Sequence, residues 1–271
     1  MDHNTARKAY LDGLVTKYET QAFIQLDPIS VPHGFDDPAD QEIIGLFAAL
    51  LAWGQRKTVL SKLADLCERM DFKPHAFVYN FNAIQHESVL AGFKHRTFQP
   101  SDAVWLIQNL SSILKRYQTI ERAFAAFDDS SEPHVGPAIQ GFSDLLFSIH
   151  PETPRRLRKH LARPSTGSAC KRLCMYLRWM VRPGPVDLGI WTQIAQHKLV
   201  LPLDVHSGRQ ARALGFLTRK QDDWRAALEL TEACKLLCAQ DPAKYDYAFF
   251  GVGAYKEPLD ARFIVNPTPA K

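Results

Sequence analysis

A chain of 271 residues, 46% of them apolar, has material for a proper core, in one large domain or two small lobes. The charged fraction, 23%, is that of an ordinary soluble protein, and the net charge of +4 is too mild to define a partner. No uncharged apolar run approaches the roughly 18 residues of a membrane span, and the start, MDHNTARKAYLDGL, is polar, so the expectation is a cytoplasmic protein without a signal peptide or membrane partner.

The pattern is helical almost throughout. Residues 5–25 read as a first helix, and DPISVPHGFDDPAD is a Pro- and Asp-rich connection. The run DQEIIGLFAALLAWGQRKTVLSKLADLCERM fits one buried helix, a break near Gly54, then an amphipathic helix. Residues 101–127 give two more, with Asp102 near one start; 136–149 and 153–162 follow. RPSTGSA is a turn before CKRLCMYLRWMV, a helix apolar on most faces apart from its arginines and therefore central, which RPGPVD breaks. Segments 208–215, 222–239 and 243–250 complete about a dozen helices. No alternating strand pattern of useful length and no internal repeat occurs, so the fold class is all-α.

Charge is unevenly spread. Residues 155–182 hold nine Lys or Arg and no Asp or Glu. Such a run is either a solvated helix face or a phosphate-facing patch. Within it, Gly167 suits a tight turn needing positive φ, and the free N–H groups of the next helix can hold a phosphate; an ordinary helical hairpin is the plainer reading. Lys171 falls in the first turn of that helix. It either points into solvent or, beside Arg172 and Arg178 in a desolvated setting, has a lowered pKa and becomes a nucleophile.

In LVLPLDVHSGRQARALGFL an apolar run ends at Asp204 and an amphipathic segment begins. Asp204 is therefore placed as a helix N-cap, where backbone N–H groups and the macrodipole favour its ionised form. It caps, or it faces a developing positive charge. Asp-Val-His invites a metal reading at His206, but no second ligand cluster accompanies it, and neither metal nor cofactor is expected. The five cysteines form no disulfide framework; Cys170/Cys174 and Cys234/Cys238 are i,i+4 pairs expected to be packed thiols.

Three segments resemble the helix-hairpin-helix DNA glycosylase superfamily, which includes endonuclease III, the adenine glycosylase MutY and the archaeal oxoguanine glycosylases. LARPSTG is similar to its hairpin, LPLDVHSGRQARALG to its catalytic aspartate segment, and LLAWGQRKTVL, with Gln55, to its early helix end. DPAKYDYAFFGVG resembles the late helix of the archaeal branch, and the chain also looks like a member of a bacterial family of unassigned function. The resemblance covers roughly residues 40–255. Ser165 replaces the first hairpin glycine, Ala169 stands where the superfamily's lysine usually does, and the four-cysteine iron–sulfur signature is missing.

The resemblance implies a two-lobed helical monomer, one globular unit over 1–271, with lobe one about 40–182 and lobe two about 1–39 plus 183–271. It implies a base-excision-type N-glycosylase, with lyase activity if the lysine attacks the sugar, acting on a damaged base flipped from DNA. Asp204 would be the catalytic carboxylate and Lys171 the amine. Gln55 would fill the gap left by the base. Arg163, Ser165, Thr166, Gly167, Ser168, Arg172, Arg178 and Arg209 would contact DNA, and Trp53, Trp179 and Trp191 either stack on the base or pack the core. The alternatives are a non-catalytic nucleic-acid-binding protein on the same scaffold and a helical protein-interaction module.

Overall fold

A computed structural model describes residues 3–265 apart from residue 26, with side chains from residue 5 onward. The described residues form helices joined by short turns, with isolated β-bridges and no named strand. The expected first helix is two, α1 (His3–Tyr18) and α2 (Gln21–Ile24), because Thr20 is extended and starts a new cap. Two proline-led 3-10 turns, Pro28–Ser30 and Pro32–Gly34, fill the connection to α3 (Pro38–Leu51). Asp37 caps α3 through the Ala39 N–H (2.9 Å), Pro38 occupies its first turn, and Glu42 to Leu51 are all buried. That continuous burial is why the helix reads as apolar all round.

The chain reverses at Gly54 (φ +106°) into amphipathic α4 (Arg56–Arg69). Next come α5 (Pro74–Tyr79), α6 (Ala83–Leu90), α7 (Pro100–Tyr117), α8 (Ile120–Ala125) and α9 (Gly136–Ser148). The stretch expected as a helix over 153–162 is a 3-10 turn, Arg155–His160, and a second, Pro164–Thr166, leads to α10 (Lys171–Val181). After a long extended passage come α11 (Val205–Ala213), α12 (Trp224–Lys235) and α13 (Tyr245–Tyr255).

Helix α10 packs along α3, and α13 is clasped between α1 and α11. One apolar core runs through all of them, and burying each of its Leu or Phe side chains stabilises the fold by about 1.5–3 kcal/mol. Elements on both sides of the expected lobe boundaries share it: Pro28–Gly34 pack on α3, while Trp191 meets Phe124 of α8 and Tyr176 of α10 edge-on or tilted. Among the described residues no helix is long and apolar enough to cross a membrane.

Candidate functional site

Asp204 stops an apolar passage, Leu199 to Leu203, that is buried throughout. Its backbone is extended (φ −132°, ψ −176°) and its Oδ1 accepts the N–H groups of His206 (2.8 Å) and Ser207 (2.9 Å). The Asp204 N–H in turn donates to Ser207 Oγ (2.9 Å), closing a reciprocal cap. Oδ2 is thereby left for a different partner: Lys171 Nζ lies 2.9 Å away.

Lys171 reaches it because the chain twice enters left-handed backbone just before α10, at Gly167 (φ +78°) and Cys170 (φ +50°). A non-glycine residue pays roughly 1–2 kcal/mol for that conformation. The result is a lysine at the first residue of α10, where its charge opposes the helix dipole and the Asp204 carboxylate compensates it. Burial pushes the Asp204 carboxyl up, but the Lys171 ammonium and the Ser207 N–H together hold it below the usual carboxylate range.

Both residues line a cleft of about 920 Å³, at the large end of ligand-pocket volumes. Trp53, Phe250 and Phe23 give it aromatic surface, and Arg56, Lys159 and Arg172 give it positive charge. The Lys171 and Arg56 cations stand 6.0 and 5.8 Å from the Phe250 ring centroid. Three further carboxyl groups, Asp27, Asp222 and Asp246, line the same cleft, and Asp222 is paired with Arg212 (2.6 Å). Burial pushes Asp246 up to about 7 against the pull of Arg178. A carboxylate held ionised, an ammonium, aromatic faces and a carboxyl that burial pushes toward neutral pH share one concavity, an arrangement able to stack a ring and to stabilise positive charge.

Three of the expected contacts are engaged inside the protein, and for Trp179 and Trp191 this is the core-packing alternative. Arg178 is 4% exposed and belongs to a buried ion network, donating to Asp187 (3.2 Å), to Asp246 and to the Tyr247 hydroxyl (3.1 Å). It lines the cleft, but its guanidinium is already held by these three acceptors. Trp179 is fully buried in the core, and Trp191 packs on Phe124 and Tyr176 while donating Nε1–H to Glu42 (2.9 Å). Neither lines the cleft. Trp53 does, set edge-on to His95 with the Arg96 guanidinium 4.9 Å from its ring centroid.

The other expected contacts scatter. Arg163 pairs with Asp144 (3.1 Å), and Arg172 is tied to the carbonyls of Leu50 (2.7 Å) and Lys159 (3.2 Å) while also facing the cleft. Ser165, Thr166 and Gly167 form an exposed turn in which the Thr166 hydroxyl donates to Arg163 O (2.8 Å). The Gly167 carbonyl accepts the Trp224 N–H (3.1 Å), and Ser168 lines the cleft. Gln55 is exposed at the start of α4 and Arg209 is exposed on α11; neither lines the cleft. His206 lines its edge, and among the described residues no group of three or more His, Cys, Asp or Glu is arranged to hold a metal. Four cysteines are buried and Cys238 half-buried; burial raises Cys170 to about 12 and Cys67 to about 11.

Sequence reasoning missed Asp27, His160 and Asp246. Asp27 looked like part of a polar connection, and Asp246 like one charge on a late helix; only tertiary packing buries them.

Residues 27–255 match a family described as a protein of unknown function, DUF2400. The chain belongs to that family. The match takes in α3 to α13 and every residue of the cleft named above except Phe23. Among curated proteins and solved structures none matches.

Proposed function

We propose that this member of the family is a DNA N-glycosylase, releasing an altered base from a nucleotide rotated out of the helix. The observation that carries the reading is the Lys171–Asp204 pair in the wall of a cleft large enough for a nucleoside. Breaking a base–sugar bond leaves an oxocarbenium-like C1′, and a carboxylate kept ionised by an ammonium and a helix start is suited to face it. Lys171, one proton transfer away from Asp204, can serve as the amine that attacks C1′, which would add lyase activity. The aromatic faces of Trp53 and Phe250 suit a stacked base, whose extrusion costs a few kcal/mol. The order hairpin, lysine, aspartate along the chain agrees with the superfamily it resembles, which is support by analogy.

Oligonucleotides carrying oxidised, alkylated and deaminated bases test this directly. The wild type is expected to release at least one base. Asp204→Asn is expected to lose that release while still binding the DNA. Borohydride should trap the wild type on a cleaved substrate but not Lys171→Ala; if neither cross-links, water is the nucleophile and the lyase step is dropped. Release of no base, with salt-dependent DNA binding unchanged in Asp204→Asn, would make the protein a non-catalytic binder instead.

A further inference from the structure

Asp27 follows α2 and caps the Pro28–Ser30 turn, where its Oδ1 accepts the Ile29 N–H at 3.2 Å. It is 9% exposed and lines the same cleft as Asp204 and Lys171. Among the described residues its Oδ2 makes no hydrogen bond. Capping needs only one oxygen, and Asn or Ser would supply it without burying an ionisable group.

Arg178 and Lys171 of α10 and Arg56 of α4 line the same cleft, as do Asp204, Asp222 and Asp246, and the three cations pull this carboxyl down. Burial outweighs them and the Ile29 N–H, and leaves the group above the usual carboxylate range. Asp204 is driven the opposite way in the same cleft. Two carboxyl groups whose surroundings push them apart divide the work between proton donor and permanent anion.

We propose that Asp27 is the general acid that protonates the departing base, so that the substrates are neutral bases, whose expulsion requires a proton, and not bases already made cationic by ring-nitrogen alkylation. This role rests on the glycosylase reading. The C1′–N bond breaks and its electron pair stays with the base. The Asp27 O–H proton passes to a ring nitrogen or carbonyl oxygen of that base. Asp204 faces the oxocarbenium, water adds at C1′, and the proton that water gives up restores Asp27. The sum is base–sugar plus water giving free base and a sugar hydroxyl.

Single-turnover release is compared for oligonucleotides holding hypoxanthine, uracil or oxidised guanine, and for one holding a ring-nitrogen-methylated guanine cation. Asp27→Asn keeps the capping oxygen and should lose about 100-fold or more on the neutral bases. Its rate on the cation, if the wild type acts on it at all, should change less than about threefold. In the wild type, release of neutral bases should fall as pH rises past the Asp27 pKa, and release of the cation should not. That pH comparison needs no variant and stands even if Asp27→Asn does not fold. Unchanged neutral-base release in a folded Asp27→Asn, or a wild type active on the cation alone, overturns the role of Asp27 and leaves the glycosylase reading standing. A wild type that releases none of the bases overturns both.

Discussion

Asp204 divides its oxygens, one for backbone N–H groups and one for an ammonium, and substitutions can separate the two. Asn at this position still offers an oxygen to His206 and Ser207 and loses only the charge. Because Lys171 is one-third exposed, the ion pair stabilises the fold by about 1 kcal/mol or less. Asp204→Asn should therefore melt close to the wild type, while, on the glycosylase proposal, base release falls by about 100-fold or more. Asp204→Ala also removes the cap and should cost about 1 kcal/mol beyond Asn. Thermal melts of the three proteins, run beside the release assay, check both statements. Equal melting of Asn and Ala would mean that the cap contributes nothing. The cap was legible in the sequence, because an acid between an apolar run and an amphipathic one has few other uses. Lys171 was singled out by the resemblance and as one of two readings of its setting. What the sequence did not show is its contact with Asp204, which depends on two left-handed residues: Gly167, marked as such by its type, and Cys170, which gives no local sign of being one.

At the scale of the element, α10 and its C-cap residue carry two buried arginines, Arg178 and Arg182, toward carboxylates supplied from elsewhere. Arg182 pairs with Glu19 and with Asp187 and Asp241 (2.8 Å each), as Arg178 does with Asp187 and Asp246. Arg178→Met should destabilise by about 3–5 kcal/mol, because Asp246 would stay buried without its cation and Asp187 would keep only Arg182. Arg178→Lys should recover little of this, since an ammonium cannot span three acceptors in a plane. Urea unfolding measures it, and a loss under about 1 kcal/mol would show the carboxylates rehydrated. The sequence misleads here for a physical reason: the stretch is free of acids locally, and its partners lie up to 163 residues away. The turn before α10 makes a second prediction. His160 is 2% exposed, and burial lowers it to about 4, with Asp102 opposing. The folded state thus holds His160 neutral, while the unfolded chain takes a proton near pH 6.5. Stability from this residue is complete above about pH 6.5 and is lost as pH falls toward 4, by about 3 kcal/mol in all. Chemical denaturation at pH 7 and pH 4 should show that difference between wild type and His160→Gln.

Over the whole molecule, helical periodicity made the fold class readable, because it needs only neighbours along the chain. Which charges remain free for a partner is a tertiary question. Of the nine cations between residues 155 and 182, Arg178 and Arg182 are buried in ion pairs, and Lys171 is held by Asp204. Arg163 is paired with Asp144, and Arg156 with Asp102 (3.1 Å). Arg172 is tied to two backbone carbonyls, and Arg158 sits 4.1 Å over the Phe147 ring. Arg155, Arg156 and Lys159 are exposed in this stretch; Arg156 is already paired, whereas Arg155 and Lys159, the latter donating to Thr97 O (3.2 Å), carry no ion pair among the described residues, and neither does Arg209, exposed on α11 beyond the stretch. Each phosphate neutralised adds about −0.9 to the slope of log K against log salt on duplex DNA. Nine contacts would give about −8, whereas these exposed cations without an ion pair give about −3. On the proposal that the protein binds duplex DNA, titrating a labelled duplex between 50 and 200 mM salt should return the shallower slope. Arg155→Ala and Lys159→Ala should each lower it by about one. A slope near −8 would mean that binding opens the internal ion pairs. In that case Arg178→Met would change DNA affinity as well as stability, a coupling that the folded architecture does not predict.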